Sequence, residues 1–273
     1  MMMNPVATTG LLVASMRAEE SLRPDRLFED PYAATLSGDA GRAALADYRA
    51  AVGPSIPIIE VRTRYFDEVL LRASAEGVRQ YVILAAGMDA RAYRLPWAEG
   101  VRLFEVDQPE VIARKEQLLQ GVAPRCARIP VAGNLAGDWS RGLAAGGHDV
   151  NVPTCWLVEG LLQYLAPEHV EGLFARVDAL SAPGSRLLYD VVGRTLLAAP
   201  MLAPVLRYMD ALGAPWVFGT DHPAALVEGR GWRANPSDPG RHGSAWERWP
   251  FPPAPARAPA FPFGALVEAV KEG

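Results

Sequence analysis

Five short apolar runs, each ending close to a small or polar residue, constrain this chain more than any other feature. They cover residues 81–85, 101–106, 127–131, 154–158 and 186–192. Each has the length of a strand, and their near-continuous apolar character suits strands buried on both faces. Helical stretches separate several of them. One covers 109–120, with Pro109 at its start and Gly121 behind it; another covers 167–180 and is closed by Pro183-Gly184. Strand and helix in alternation predict a parallel sheet with helices on both faces and right-handed crossovers.

Residues 1–75 read as an N-terminal helical cap on that sheet. Thr8 or Thr9 is placed to cap a helix through Leu11, Leu12, Met16 and Glu20. Asp30 and Pro31 open a second helix, which Leu36-Ser37-Gly38 ends. A third covers 58–73, with Ile59, Arg62, Phe66, Val69 and Leu70 at helical spacing. Residues 76–192 form the core. Residues 193–262 break the alternation. A helix bent at its prolines over 196–212 is followed by Trp216, Trp232, Trp246 and Trp249, and by six prolines between Pro250 and Pro262. Tryptophans are costly to leave in water, so this segment is expected to pack on the core or line a pocket, as a lid. Residues 263–273 supply a last strand, expected at the sheet edge.

Charge and composition exclude several classes. There are 31 acidic and 27 basic residues, for a net charge of −4, which lacks the clustered basic surface that a nucleic acid needs. Cys126 and Cys155 cannot build a disulfide framework, and no spacing suggests a metal site. The apolar stretch near the start precedes Arg17, whereas an export signal places its positive charge first. The apolar stretch at 196–206 is interrupted by Pro200 and Pro204, and it falls short of the roughly 20 residues that span a bilayer. The expectation is a cytoplasmic protein with reduced thiols, acting on a small molecule, with neither a nucleic acid nor a membrane as partner.

Ligands of an open parallel sheet bind beyond the carboxyl ends of its strands. Four successive strand ends carry polar or flexible residues: Ala86-Gly87-Met88-Asp89, then Asp107, then Gly133-Asn134-Leu135, then Glu159. Gly87 lets the backbone approach a ligand. Asp107 can accept hydrogen bonds from both hydroxyls of a ribose, Asn134 can read an adenine amino group, and Glu159 can bind a cationic amine. A dinucleotide site wants GxGxxG with the pyrophosphate on a helix N-terminus. Here the segment reads Ala85-Ala86-Gly87-Met88-Asp89-Ala90, with a carboxylate where phosphate would lie. S-adenosylmethionine, with its ammonium and sulfonium charges, suits two carboxylates better than a nicotinamide dinucleotide does. The plainer readings are a turn glycine at Gly87, a helix-capping Asp107 and a Glu159 paired with an arginine.

The string Ile83-Leu84-Ala85-Ala86-Gly87-Met88-Asp89-Ala90-Arg91-Ala92-Tyr93-Arg94-Leu95, followed by Phe104-Glu105-Val106-Asp107-Gln108-Pro109, resembles the leucine carboxyl methyltransferase family. So do Asp30-Pro31-Tyr32, Arg62-Thr63-Arg64-Tyr65-Phe66-Asp67 and Glu159-Gly160-Leu161-Leu162-Gln163-Tyr164-Leu165. Gly231-Trp232 and Arg248-Trp249-Pro250-Phe251-Pro252 resemble its bacterial branch of class I O-methyltransferases. The resemblance implies a Rossmann-like, mostly parallel seven-stranded sheet and S-adenosylmethionine as cofactor. It implies Arg62 on the methionine carboxylate, Ala85 and Gly87 beneath the cofactor, Asp107 on the ribose, Asn134 and Leu135 around the adenine, and Glu159 by the methionine amine. Arg17 is a candidate second carboxylate contact. Two departures stand out. Ala85 replaces the first glycine of the family's Gly-x-Gly, which is tolerable where φ is negative, and Asn134 replaces an aspartate.

The acceptor nucleophile decides whether a base is required. A carboxylate is already ionised at neutral pH and needs none; a phenol or alcohol needs a base within hydrogen-bond reach. His222 and His242 lie in the lid segment, and Arg194, Arg207, Arg230 and Arg233 are placed to neutralise an acidic substrate. The reading is therefore O-methylation of a small-molecule carboxylate such as a polyketide or other secondary metabolite. Hydroxyl methylation is the close alternative, and an NAD-dependent oxidoreductase the distant one.

Overall fold

A computed structural model describes residues 5–251 and 262–273. Helices α1 (Pro5–Ser21), α2 (Ala33–Val52) and α3 (Ile58–Ala75) precede strand β1 (Gln80–Leu84). Then come α4 (Arg91–Arg94), β2 (Arg102–Asp107), α5 (Pro109–Leu118), β3 (Ala127–Ala132), α6 (Ser140–Ala145) and β4 (Thr154–Val158). After them follow α7 (Pro167–Ala179), β5 (Arg186–Val191), α8 (Arg194–Leu197), α9 (Ala203–Ala211), β6 (Trp232–Ser237), α10 (Pro239–Ala245) and β7 (Ala265–Lys271). The strands form one sheet in the order β3-β2-β1-β4-β5-β7-β6. The first five run parallel, and β7 is antiparallel to both of its neighbours.

The apolar runs are continuous because both faces of the central strands are covered. Tyr81, Ile83, Leu103, Cys155 and Leu157 point into one buried cluster, with Phe66, Val69 and Leu70 of α3 and Val111 of α5. Val82, Leu84, Phe104, Val106, Trp156 and Val158 point into another, with Leu143 of α6 and Phe174 and Val177 of α7. Alternation along each strand thus sorts residues between two cores rather than between core and water. A third cluster, with Leu12, Leu45, Tyr48 and Met209, fastens α9 to α1 and α2.

Three expectations are corrected. The last strand is not at the edge: β7 lies between β5 and β6, and β6 is the edge. β6 arises inside the segment read wholly as lid, and Pro236 and the half-buried Ala234 and Ser237 break its apolar pattern, as suits an edge strand. The opposite edge, β3, likewise carries Pro130. Secondly, α2 does not end at Gly38. That glycine takes φ +59°, and the helix resumes beyond the kink to Val52. Thirdly, Thr8 and Thr9 lie inside α1, where the Thr9 hydroxyl donates to the Val6 carbonyl (2.6 Å). Of the tryptophans in the 193–262 segment, Trp232 is buried in the core and Trp246 stacks under Arg64 at 4.3 Å. Most of the proline-rich stretch, residues 252–261, lies outside the described residues.

Candidate active site at the strand ends

Register places the predicted residues side by side. Leu84, the last residue of β1, pairs with Val106 on one side and Val158 on the other. Asp107 and Glu159 each follow those partners directly, so they flank Ala85. With neighbouring strands about 4.8 Å apart, the two carboxylates stand on the order of 10 Å from each other. Strand order reverses between β1 and β4, which is where an open α/β sheet forms its ligand crevice.

The floor of the crevice is the loop after β1. Ala85 takes φ +54° and Gly87 φ +46°. A Cβ built on Gly87 meets only the Ala85 carbonyl, at 3.8 Å, so the space above this turn is open to a ligand. Asp107 fastens the turn: its Oδ2 accepts from Gly87 N (2.6 Å) and its Oδ1 from Gln108 N (2.7 Å). It does not cap α5. Each carboxylate oxygen keeps a lone pair for a further donor. Burial raises the Asp107 pKa above the usual carboxylate value, and the two amide donors offset only part of that.

Ala85 departs from the expectation of a negative φ. A left-handed conformation costs a residue with a Cβ about 1–2 kcal/mol, which is the physical reason for glycine here. Ala85→Gly is expected to stabilise the protein by about 0.5–1 kcal/mol once the added freedom of the unfolded chain is set against the relief. A thermal melt checks this; a lower midpoint would contradict it.

Glu159 is the arginine-paired carboxylate of the plainer reading, and it is more than that. Its Oε1 accepts from Arg62 Nε (2.9 Å) and its Oε2 from Arg91 Nη1 (2.7 Å). Arg62 also donates through Nη1 to Asp190 Oδ2 (2.8 Å), and Asp190 Oδ1 accepts from Gly160 N (2.6 Å). Arg91 reaches Asp67 (2.7 Å) and Asp89, and Arg94 reaches Asp67 (2.6 Å). Arg17 pairs with Asp30 (3.1 Å) and donates to the Met88 carbonyl (2.5 Å), so α1 roofs the loop after β1. Burial alone would raise the Glu159 and Asp89 carboxyls. Arg91 and Arg62 instead hold Glu159 below its ordinary value, and Arg91 with its neighbours holds Asp89 down at about 2.

Ala85, Gly87, Asp107 and Glu159 are thus neighbours at the carboxyl ends of β1, β2 and β4. Arg62 joins them, already committed to two carboxylates; one N–H of Nη1 and both of Nη2 remain for a ligand, and Nη2 lies toward Gly160. Asn134 is exposed, and its Oδ1 accepts from Ala136 N (2.9 Å) in a local turn; Leu135 packs at the edge of the second core. Sequence reasoning assigned no role to Asp67, Asp89, Arg91 or Asp190. An open cavity of about 410 Å³ lies beyond the network, bordered by Phe28, Arg64, Asp67, Glu68, Leu71 and Arg94, and it contains none of the strand-end residues.

The donor set fits a nucleoside bearing an amino acid and a positive charge: a carboxylate for hydroxyls at β2, an open glycine turn at β1, and carboxylates with arginines at β4 and β5. Residues 10–178 match the model of the leucine carboxyl methyltransferase family. A Saccharopolyspora erythraea protein named "Putative S-adenosyl-L-methionine-dependent methyltransferase" is 41% identical over 251 residues, covering 84% of each chain. A similarly named Streptomyces coelicolor protein is 40% identical over 240 residues, again covering 84% of each. Among solved structures, a DUF574 family protein from Streptomyces avermitilis shares the fold with a TM-score of 0.61 at 15% identity, over 91% of this chain and 97% of that one.

Proposed function

The chain belongs to the leucine carboxyl methyltransferase family and is an S-adenosylmethionine-dependent methyltransferase, and from that premise we propose that it methylates a carboxylate of a small molecule, with the cofactor lying across the ends of β2, β1 and β4. The observation that carries the site is the register that sets Asp107 and Glu159 on either side of the open Ala85–Gly87 turn.

In this reading Asp107 takes the ribose hydroxyls, and Ala85 and Gly87 lie beneath the cofactor. Asn134 and Leu135 border the adenine. Glu159 faces the methionine ammonium, and the free N–H groups of Arg62 face its carboxylate, a pairing that guanidinium geometry favours. When bound, the cofactor supplies a methyl group on a cationic sulfur. The protein's task is to hold the acceptor oxygen in line with the departing sulfur, and such orientation can supply about 7–11 kcal/mol of the barrier. Residues 193–231, between β5 and β6, are the substrate lid in this reading, and Arg194, three residues beyond the end of β5 at the same end of the sheet, is the arginine placed for an acidic acceptor.

A carboxylate is favoured over a hydroxyl because no described histidine contacts the crevice residues. His148 hydrogen-bonds Thr154 at the opposite end of β4 (3.2 Å), and burial lowers its pKa to about 4. His242 sits against Tyr65 and Trp246 and bonds Ser237 (3.0 Å), while His169 and His222 are exposed. Glu159 is held ionised by two arginines, which makes it a poor base. Incubation with methyl-labelled cofactor and a panel of carboxylic acids and phenols tests this. Label is expected in an acid as an ester, with a rate nearly flat between pH 6 and 9, and His222→Ala and His242→Ala are expected to keep the rate within threefold. Label in a phenol alone, with a rate rising through a basic limb, would establish the hydroxyl reading instead.

A further inference from the structure

With a contact between Arg94 and Asp30 (3.8 Å), the ion pairs described above form one continuous, largely buried chain: Arg17, Asp30, Arg94, Asp67, Arg91, Asp89, Glu159, Arg62 and Asp190. Among the described residues, four guanidinium groups face five carboxylates, and one negative charge is in excess. The neighbouring charges do not cancel it. Lys115 and Arg128 are matched by Glu105 (3.0 and 2.8 Å) and Glu116 (3.4 Å), and Asp107 adds a further carboxylate beside them.

Asp190 is the last link of this chain and ends it on β5. It stands outside the four strand ends that bear expected cofactor contacts, yet it holds Gly160 N, next to Glu159, and Nη1 of Arg62 on α3. We propose that Asp190 determines which form of the cofactor the crevice prefers. Its surplus charge biases binding toward the cationic methyl donor and against the uncharged thioether product. The inference rests on the cofactor lying over the strand ends as proposed above.

The chemistry makes the charge count consequential. The methyl donor carries an ammonium, a carboxylate and a sulfonium, one positive charge in all. On transfer the C–S bond breaks, its electron pair stays on sulfur, and a C–O bond forms to the acceptor. The remaining thioether carries no net charge. A network with one surplus carboxylate is therefore neutralised by the donor and left unbalanced by the product. In a buried site such a difference is weakly screened by salt, and it favours product release after each transfer.

The test is calorimetric titration of the whole protein with S-adenosylmethionine, S-adenosylhomocysteine and sinefungin, whose amine places a positive charge near the position of the sulfonium. For Asp190→Asn, affinity for the two cationic ligands is expected to fall about tenfold, and that for S-adenosylhomocysteine less than threefold. Asp190→Glu, which keeps the charge, is expected to restore most of the difference. Equal losses for all three ligands would mean a structural role only, and would overturn the proposal. Should Asp190→Asn not fold, the unaltered protein decides: sinefungin is expected to bind at least fivefold tighter than S-adenosylhomocysteine, and equal or weaker binding overturns it. Asp107→Ala separates this from the site reading. If that change leaves S-adenosylhomocysteine binding intact, the site assignment falls and the proposal with it. If it abolishes binding while Asp190→Asn shifts all three ligands alike, only the proposal falls.

Discussion

Arg91→Met is expected to lower the unfolding free energy by about 3–5 kcal/mol, the cost of removing one partner from a buried ion network and leaving the others uncompensated. Arg91 is 2% exposed and touches three carboxylates, Asp67, Asp89 and Glu159. Methionine fills a similar volume, so the loss reads the charge rather than a cavity. The pH dependence gives the effect its signature. Asp89 has its pKa held at about 2 in the folded protein, against about 3.9 when unfolded. A depressed carboxyl contributes stability that is fully present above the unfolded value and is lost as pH falls through the folded one. The unaltered protein should therefore lose this contribution between about pH 4 and pH 2. In Arg91→Met the same carboxyls are buried without their main partner, and protonation relieves them. The stability gap between the two proteins should narrow as pH falls from 7 toward 3. Denaturant titrations at several pH values measure it. A loss below 1 kcal/mol, or a gap constant with pH, would show that the network is less coupled than its geometry implies.

The parts of this fold that were legible from sequence share a physical cause. The five parallel strands are buried on both faces, and burial writes itself as an unbroken apolar run; the predicted bounds of β4 agree with the structure, and those of the others to within a residue or so. β6 is an edge strand with one poorly covered side and a proline, so no such run marks it. The crevice was legible to the extent that it is built from residues immediately after strands. Asp107, Glu159, Gly87 and Ala85 are set by register alone. The ion network was not, because residues 17, 67, 91 and 190 meet only through the packing of α1 and α3 against the strand ends. A signal did exist for Asp190: a carboxylate inside the otherwise apolar run 186–192 has to find a partner, since an unpaired buried charge is costly. Arg91 and Asp67 likewise lay within the strings that carried the family resemblance, but nothing in their spacing said that they pair with each other. The positive φ of Ala85 left no trace in the sequence, because alanine is an uncommon choice for that conformation.

Asp107→Ala is expected to weaken binding of S-adenosylhomocysteine at least a hundredfold. The carboxylate ends β2 beside the open turn, and its two oxygens already accept Gly87 N and Gln108 N. Those bonds fix its orientation, and in the proposed reading its remaining lone pairs take the 2′ and 3′ hydroxyls of the ribose. Hydrogen bonds to a charged group contribute about 1.5–3 kcal/mol each. Losing two of them amounts to about 3–6 kcal/mol, or roughly two to four powers of ten in affinity. Two controls separate ligand binding from the floor of the crevice. Asp107→Asn keeps one acceptor oxygen and should fall between the original and the alanine variant. The thermal midpoint of Asp107→Ala should drop only modestly, because the Gly87 amide it frees lies on a partly exposed turn where water can replace the lost acceptor. NAD, whose pyrophosphate would meet Asp89 and Glu159 without a GxGxxG turn to receive it, should bind neither protein measurably. Titration calorimetry reads all of these. An Asp107→Ala affinity within twofold of the original would place the adenosine somewhere other than the end of β2, and the placement of Asp107 and Glu159 on either side of β1 would then be a feature of the fold rather than of the site.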